Sequence, residues 1–345
     1  MIALSLPRGS GFGWATCGEN LIREFQKMPS GAYEVVLEND LPLELGDPVL
    51  HAIQGVNLLP MQPQVRSTVK NVGYCFIEDN LQAILYRSNG WRYFNGNIVA
   101  GSEWGARNLR DIGFKNAVAV VQGVDADLFR PAEPVQPRDP GRFIIYSGGK
   151  WEFRKGQDVA VKAVAVMMQR HPDVYLMCHW HNPWPATVGP VTARDALRDA
   201  KIPVDRISGS IDGPWVHEAL PHWYSSCDVG LFPNRCEAGT NLVMMEFMAC
   251  GRPVIATYAH GHADVLNKSD PLMLIGQKPF FHMGLDGQPR GLWYEPDLDE
   301  VIDRLEWAYQ NRVEIIGLGD ANRKRMLGFT WASAARKLAD VCAQT

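Results

Sequence analysis

Short apolar runs alternate with amphipathic stretches along most of this 345-residue chain. Such alternation is typical of a parallel β-sheet covered by helices, so the sequence predicts an α/β fold. Strands are predicted at residues 2–6, 35–37, 73–77, 96–100, 117–122, 142–147, 174–178, 206–208, 229–232 and 254–256. Helices are predicted from the 3.6-residue period at 17–27, 156–170, 193–199, 297–311 and 330–343.

A proline-rich segment at 131–141 separates two such series of elements. It carries Pro131, Pro134, Pro137 and Pro140 among polar residues, and proline continues neither a helix nor a central strand. The chain is therefore predicted to form two α/β halves joined by a hinge. In folds of this kind the ligand lies between domains or at the carboxyl ends of strands.

Composition narrows the class of protein. At 345 residues with a hydrophobic content of 46%, the chain can bury one large core or two of ordinary size, and two are favoured. The net charge of −4 does not indicate a nucleic-acid partner, although a local basic patch leaves that partner open. No secretory signal and no run of about 18 apolar residues is visible, so no membrane span is expected. Seven scattered cysteines without a Cys-x-x-Cys pair favour a reducing cytoplasm over a disulfide or zinc framework.

The segment 236–256 combines an acidic loop, an apolar helical run and an apolar strand. Glu237 stands in the loop, Glu246 lies in the helical run, and Gly251 ends it. A loop that enters a helix directs unpaired backbone N–H groups and the positive end of the helix dipole at one place, which suits a phosphate. The two glutamates then flank the anion and accept hydrogen bonds from sugar hydroxyls. The segment therefore predicts a nucleotide diphosphate-sugar site.

A second segment, 148–158, places glycines and cations between a predicted strand and a predicted helix. Gly149 lets the backbone approach a ligand, and Lys150, Arg154 and Lys155 precede the helix. These cations would neutralise a diphosphate and stabilise the charge that develops on it as a leaving group. Alone, the segment fits a solvated basic turn equally well. Together with the acidic segment, the diphosphate interpretation is favoured.

These motifs resemble those of retaining nucleotide-sugar glycosyltransferases of family 4, also called glycosyl transferases group 1. The resemblance rests on Gly-Gly-Lys followed by Lys155-Gly156, on the acidic loop before a Glu-bearing helix, and on Ala249-Cys250-Gly251-x-Pro-Val-Ile. Further matching phrases are 123–131, 223–233 and 329–331. The resemblance implies the GT-B fold: two Rossmann-like domains face a central cleft, and the C-terminal helix crosses back to the N-terminal domain. It implies an acceptor domain at 1–137 with 330–345, and a donor domain at 142–329.

The resemblance also implies site residues. Lys150 and Lys155 would contact the diphosphate, Glu237 would hold the donor sugar and distal phosphate, and Glu246 would accept from the ribose hydroxyls. Other residues expected to line the donor site are Gly11, Phe12 and Gly13 of the N-terminal loop, Gly149 and Arg154, Ser208 and Gly209 at the nucleobase, and Gly239, Thr240, Asn241 and Leu242. The family needs neither a metal nor a cofactor besides its nucleotide-sugar substrate.

Two departures from the family pattern stand out. Eight residues separate Glu237 from Glu246 where the family usually has seven. The family usually presents a His-Asp pair after a mid-domain strand, but here Glu78 and Asp79 follow Phe76 and Ile77. Glu78 and Asp79 are therefore the residues expected to replace that pair in catalysis.

The mechanism and the acceptor are the less determined parts of this interpretation. Retaining glycosidases use two carboxylates about 5–5.5 Å apart, and nothing in the sequence predicts such a pair. The hypothesis is front-face transfer, in which the leaving diphosphate takes the acceptor's proton. A sugar-nucleotide epimerase, a phosphorylase and a non-catalytic nucleotide-sugar-binding protein on the same fold are the alternatives. The acceptor, bound by the N-terminal domain, stays open among glycan, lipid, protein, small molecule and nucleic acid.

Histidines and tryptophans offer further candidates. His179 and His181 share a face of a predicted strand, where two interpretations compete: a metal site and a packed role, with the packed role favoured. His260 and His262 follow a strand and are assigned either to the donor or to structure. Trp14, Trp180 and Trp184 are candidates for stacking on a sugar or base.

Overall fold

The fold was analysed in a computed structural model of the whole chain. The structure describes residues 2–9, 11–29, 33–35, 43–45, 47–55, 57–62, 65–67, 70–78, 88–135, 139–182, 184, 191–213, 216–283, 287 and 289–345. Asp79 and the proline-rich positions 136–138 lie outside these ranges.

The first half of the chain builds a six-stranded parallel sheet in the order β2-β1-β4-β6-β7-β8. Its strands are β1 (Ile2–Ser5), β2 (Tyr33–Val35), β4 (Val49–Ala52), β6 (Asn71–Cys75), β7 (Ile98–Ala100) and β8 (Val118–Ala119). A separate parallel pair joins β3 (Leu43–Leu45) to β5 (Val65–Ser67). Strands were expected at five of the six sheet positions, and β4 was missed. Residues 36–37 of the strand expected at 35–37 lie outside the described ranges.

The second half builds another six-stranded parallel sheet, in the order β11-β10-β9-β12-β13-β14. Its strands are β9 (Phe143–Gly149), β10 (Val174–Trp180), β11 (Ile207–Ile211), β12 (Val229–Phe232), β13 (Val254–Thr257) and β14 (Met273–Leu274). Strands buried on both faces read as apolar runs, and β12 and β13 are buried along their full length. Burial explains why the sequence predicted β12 and β13. The sequence also predicted β9, β10 and the largely exposed β11 within two or three residues of their bounds.

Helices cover both sheets. They are α1 (Gly13–Phe25), α2 (Glu103–Asp111), α3 (Gln157–Arg170), α4 (Ala193–Asp199), α5 (Leu220–Ser225), α6 (Leu242–Ala249), α7 (Leu298–Gln310), α8 (Glu314–Met326) and α9 (Trp331–Gln344). Side-chain caps begin several of them: Ser102 accepts from Gly105 N, Asp297 from Asp299 N and Glu300 N, and Thr330 from Ser333 N. No helix within the described ranges is long and apolar enough to cross a membrane.

The C-terminal helix α9 packs on the first half, as the GT-B expectation requires. Its Trp331, Ala335 and Leu338 share a buried cluster with α1 and with strands of the first sheet. The chain passes between the two halves twice, near Val124 and near Thr330, and the two passages lie side by side. Val124 forms a β-bridge with Thr330, and the Val124 N–H donates to Phe329 O at 2.9 Å. Glycine is required at 123, since a Cβ there would collide with the Trp331 backbone. The crossover therefore ties the two halves together at one edge.

A hairpin that the sequence analysis did not predict extends from the second half. It consists of β15 (Lys278–Met283) and β16 (Pro289–Glu295), which pair antiparallel outside both large sheets. Two contacts anchor it. Glu295 accepts from Arg235 at 2.5 and 2.8 Å, and the Trp293 indole N–H donates to the Glu78 carbonyl oxygen at 2.9 Å. The hairpin thereby spans from the loop beside Glu237 to the end of β6 in the first half.

Candidate active site

A cavity of about 300 Å³ lies between the two halves. The first half contributes Phe12, Gly13, Trp14, Phe76, Glu78 and Gln122, and the second contributes Gly149, Lys150, Arg154, Lys155, Trp184, Glu237, Gly239, Asn241, Leu242 and Val243. Most of these residues follow strand ends or open helices, as expected for a ligand site in two facing α/β halves. The cavity therefore gathers most of the residues that the two sequence motifs singled out.

Glu237 is the most strongly held carboxylate in the cavity. Its Oε2 accepts from Lys155 Nζ at 2.5 Å, from Asn234 Nδ2 at 2.8 Å and from Arg154 Nη1 at 3.3 Å. Burial opposes its ionisation, yet the Lys155 ammonium and the Arg154 guanidinium outweigh burial and lower the pKa of Glu237 to about 2. Glu237 is therefore a carboxylate at any physiological pH.

Arg154 connects three carboxylates that come from distant parts of the chain. Its Nη1 lies 3.0 Å from Glu78 Oε1 and 3.3 Å from Glu237 Oε2, and its Nε lies 2.9 Å from Glu152 Oε2. Only 13% of the Arg154 side chain is exposed. Against the cost of burial, these three charges raise the pKa of Arg154 above its ordinary value, so it stays cationic. Because Glu78 belongs to the first half, this guanidinium is an ionic link across the cleft.

Lys150 completes the cationic side of the cavity. Its Nζ lies 2.6 Å from Glu152 Oε1 and 4.6 Å from the centre of the Trp184 ring. The Trp184 ring in turn packs edge-on against Phe12 of the N-terminal loop, with ring centroids 5.4 Å apart. Loop residues of both halves therefore meet above Lys150, which places an aromatic wall beside the cation.

Glu78 occupies the position where the sequence departs from the family's His-Asp pair. It is half-buried, and its backbone carbonyl is fixed by the Trp293 indole. Burial raises the pKa of Glu78 to about 6; Arg154 opposes this rise, while Glu237 and Glu152 add to it. Glu78 is thus a carboxyl group of the ionic cluster whose pKa is raised to about 6.

The acidic loop packs tightly against the first half. Ser102 Oγ donates to Ala238 O at 2.6 Å, and a Cβ on Gly239 would lie 2.9 Å from the Phe76 ring. Asn241 follows in the left-handed region, with φ at 62°, and its side chain caps α6 at Met244 N. The first turn of α6 thereby faces the cavity through Leu242, which agrees with the geometry expected of an anion site.

Glu246 does not line this cavity. It is buried in α6, and its Oε1 lies 3.2 Å from His217 Nε2. Hydrogen bonding to Glu246 raises the pKa of His217 above its ordinary value, against the cost of burial. The glutamate expected to receive ribose hydroxyls therefore already has a histidine partner that the sequence analysis did not identify.

Several other expected residues also lie away from the cavity lining. Ser208 and Gly209 are exposed on β11, beside Met177 and Cys178 of β10. Thr240 is fully buried, and its hydroxyl contacts the Met245 sulfur at 3.0 Å. Gly11 stands in the N-terminal loop with φ at 92°, outside the lining residues. These residues remain predictions as donor contacts.

The histidine and tryptophan candidates divide between core and cleft. Trp180 is fully buried and donates to Ser147 Oγ at 3.3 Å, so its proposed role in stacking on a ligand is wrong. Burial also lowers the pKa of His179 to about 2. His262 is buried against Asn241, with Nε2 to Nδ2 at 3.3 Å, and burial lowers its pKa to about 4. Within the described ranges no three His, Cys, Asp or Glu side chains form a metal-binding group.

Sequence reasoning missed several polar partners of the site. Ser102, Glu152, Asn234 and His217 each bond or pair with a predicted segment. Glu152 and Asn234 lie within three residues of predicted site residues, so proximity to the motifs was a usable signal for them. His217 and Ser102 are 29 and 136 residues from their partners. No local pattern marks such distant pairs.

A second cavity, of about 700 Å³, lies along residues 127–133, where the chain passes from the first half to the second. It is lined by Asp127, Leu128, Arg130, Pro131, Ala132, Glu133, Glu218, Pro221 and His222. None of the residues predicted to bind the donor lines it, so volume alone does not locate the site.

Residues 141–279 match the sequence family described as Glycosyl transferases group 1. D-inositol 3-phosphate glycosyltransferase of Pseudarthrobacter chlorophenolicus is 31% identical over 221 residues, which cover 62% of this chain and 46% of that protein. The lipopolysaccharide core biosynthesis mannosyltransferase of Rhizobium meliloti is 26% identical over 149 residues, 40% of this chain and 39% of that protein. The chain spans about half the length of the first curated relatives it matches.

Two solved structures share the fold along nearly the whole chain. HepE of Anabaena, solved with UDP-glucose, superposes with a TM-score of 0.68 at 13% identity, over 100% of this chain and 99% of that one. Sucrose-phosphate synthase of Thermosynechococcus elongatus superposes with a TM-score of 0.67 at 17% identity, over 99% and 98%. These similarities confirm the predicted GT-B architecture, with two Rossmann-like domains facing a central cleft.

Proposed function

We propose that this protein is a glycosyltransferase that moves a sugar from a nucleotide diphosphate-sugar to an acceptor hydroxyl. The observation that carries the proposal is the cavity between the halves, where Lys150 and Lys155 stand beside Glu237 and the first turn of α6. Cations and a helix N-terminus suit a diphosphate, and a carboxylate suits sugar hydroxyls. The match of residues 141–279 to glycosyl transferases group 1 supports the same activity.

Leaving-group stabilisation is the main source of catalysis in this proposal. An ammonium group has three N–H donors, and Lys155 directs one to Glu237, so the others can serve a phosphate oxygen. Held in this way, the leaving diphosphate stays on the face of the sugar that the acceptor approaches and takes the acceptor's proton. The expected outcome is retention of anomeric configuration, as the resemblance to family 4 implies. Glu237 orients the sugar in this step.

The remaining assignments belong to the same proposal. Residues 142–329 bind the donor, and residues 1–137 with 330–345 bind the acceptor, in a cytoplasmic enzyme that needs no metal. Glu246 accepts from the ribose once the nucleotide displaces or shares its contact with His217. Phe12 and Gly13 approach the reacting centre from the N-terminal side of the cleft. Asp79 keeps its expected role beside Glu78 as a prediction.

A thermal-shift panel of uridine and guanosine diphosphate-sugars tests the proposal, because a ligand stabilises by RT ln(1 + [L]/Kd). We expect one nucleotide class to raise the melting temperature of the native chain and not of Lys155→Ala. The variant Lys162→Ala, at an exposed position of α3, is the matched control. Absence of any shift across the panel contradicts donor binding. Tight binding without slow hydrolysis or transfer to any acceptor favours a non-catalytic binding protein instead.

A further inference from the structure

The ionic cluster of the cavity is already neutral before a donor enters. Its carboxylates are Glu78, Glu152 and Glu237, and its cations are Lys150, Arg154 and Lys155. Every one of these six groups has an oppositely charged neighbour within 3.0 Å. A diphosphate diester brings one negative charge on each phosphate. Its entry therefore leaves an excess of negative charge in a partly buried site, where uncompensated charge is costly.

Uptake of a proton by one of the three carboxylates would reduce that excess. Glu237 has three donors on one oxygen, and its pKa is lowered to about 2. The pKa of Glu152 is likewise lowered, because Arg154 and Lys150 outweigh its burial. Glu78 differs from both: among the described residues it pairs with Arg154, which two other carboxylates share, and burial raises its pKa to about 6. Glu78 is thus the carboxylate that protonates most readily.

The groups around Glu78 reinforce this choice. Arg154 and Lys155 favour its charged form, whereas Glu237 and Glu152 disfavour it. A diphosphate held by Lys150 and Lys155 adds like charge and engages the cations that support the Glu78 carboxylate. From the hairpin, the Trp293 indole holds the Glu78 backbone in place and leaves the carboxyl group directed at Arg154. The added negative charge of the diphosphate and the engagement of the cations by the diphosphate both raise the proton affinity of Glu78.

We propose that Glu78 takes up a proton when a nucleotide diphosphate-sugar binds, and that it then serves as a neutral carboxylic acid beside the diphosphate. The inference rests on the proposed function and adds a proton to the donor-binding step. The proton comes from solvent and forms an O–H bond on the Glu78 carboxyl group; no covalent bond of the donor breaks. As an acid, Glu78 can donate a hydrogen bond to a phosphate or sugar oxygen, which the carboxylate cannot. The proton returns to solvent when the diphosphate product leaves.

Proton-linked binding has a definite sign. A group whose proton affinity is higher in the complex favours binding at low pH. Donor affinity should be level below about pH 6, and above it should fall by up to about tenfold per pH unit. The fall ends where the complex itself loses the proton.

Isothermal titration calorimetry measures this proton directly. UDP-glucose and GDP-mannose are suitable probes, because their phosphates are diesters that do not titrate near neutral pH. The binding enthalpy is measured at pH 7 in buffers of different ionisation enthalpy, and its slope against that enthalpy gives the protons taken up. We expect between about half a proton and one proton for the native chain, because the free carboxyl group is about one-tenth protonated at that pH. We expect close to none for Glu78→Gln.

Two comparisons make the result decisive. Glu306→Gln alters a half-buried contact between Glu306 of α7 and His171, outside the residues that line the cavity, and should keep the native slope. Glu78→Asp should keep a measurable slope, because it retains a carboxyl group. A native slope near zero, or a slope that persists in Glu78→Gln, overturns the inference while leaving donor binding intact. If no nucleotide-sugar binds, neither these two nor any other in the thermal-shift panel, the proposed function and this inference are overturned together.

Discussion

Glu237 and Glu78 contact the same guanidinium from opposite sides of the cleft, yet their acidities move in opposite directions. The pKa of Glu237 falls to about 2, whereas that of Glu78 rises to about 6. Both contact Arg154 at similar distances, 3.3 and 3.0 Å. Only Glu237 also accepts from Lys155 and Asn234. Among the described residues, the two carboxylates differ in the number of donors around them.

The two halves therefore contribute different chemistry to one cavity. The second half supplies a carboxylate that is locked in its charged form by its own loop and strand ends. The first half supplies the Glu78 carboxyl group, which remains titratable. It shares Arg154 with the carboxylates of Glu152 and Glu237. Burial disfavours the charged form of both carboxyl groups, and the donors around each group decide whether this effect is offset. A permanent anion and a proton-responsive group can thus stand side by side in one site.

Removing Lys155 should have the largest effect. Its ammonium group lowers the pKa of Glu237 more than any other neighbour does, and it is proposed to contact the leaving diphosphate. Lys155→Ala is expected to reduce the transfer rate about 100- to 1000-fold, equivalent to about 2.7–4 kcal/mol, if it acts like a lost oxyanion donor. Steady-state kinetics with the bound nucleotide-sugar check this, with Lys162→Ala as control. An unchanged kcat would remove leaving-group stabilisation by Lys155 from the account.

Replacing Glu237 should weaken the fold by the amount its ionisation contributes. Its pKa falls from 4.5 to about 2, so Glu237→Gln is expected to lose about 3 kcal/mol of unfolding free energy at neutral pH. This contribution is present above pH 4.5 and is lost as pH falls toward 2. Urea denaturation of the native chain and the variant at neutral pH and at about pH 2.5, where most of the contribution is lost, measures the difference. Equal stability at neutral pH would show that the pair with Lys155 does not lower the pKa of Glu237 as described.

Replacing Glu78 should change stability in the other direction. A carboxyl group with a raised pKa favours the fold when protonated, and that advantage is lost as pH rises from 4.5 to about 6. The side chain is 30% exposed, so solvent screening reduces the effect to about 1 kcal/mol. Glu78→Gln should therefore be about 1 kcal/mol more stable than the native chain at neutral pH and equal to it near pH 4. A variant that is less stable at neutral pH would show that the Arg154 link dominates instead.

The smallest effect is expected at His217, which pairs with the buried Glu246 outside the cavity. The pKa of His217 is raised from its ordinary value of 6.5. The pair with Glu246 therefore stabilises the fold below pH 6.5, and this stabilisation is lost as pH rises through the raised pKa. Because 40% of the His217 side chain is exposed, we expect His217→Ala to cost less than about 1 kcal/mol. Thermal unfolding on both sides of pH 6.5 measures it. A loss that grows with pH would contradict an ionic pair.

Sequence reasoning located β9 to β13, the last helix and the segments that carry Lys150, Lys155 and Glu237, because each leaves a local pattern. Buried parallel strands read as apolar runs, and a loop that enters a helix has its own signature. The hairpin at 278–295 and α8 left weaker patterns. In α8, Gly317 and Gly319 and the exposed Ile316 blur the helical period. Both elements were therefore missed.

The sequence also left the site's electrostatics open, for a physical reason. Arg154 and Glu78 belong to different halves of the molecule and meet where the halves pack together. Lys155 and Glu237 lie 82 residues apart in the sequence. A charge pattern shows which groups a loop carries but not which distant groups face them. The departure at Glu78 was visible in the sequence, whereas its contact with Arg154 and its raised pKa were visible only in the fold.

A crystal structure with the nucleotide-sugar that stabilises the protein most tests the central claim most directly. The account predicts the diphosphate against Lys150 and Lys155 and the sugar beside Glu237 in the cavity between the halves. A nucleotide found instead in the larger cavity along Asp127 and Glu133, with the ionic cluster undisturbed, would contradict it.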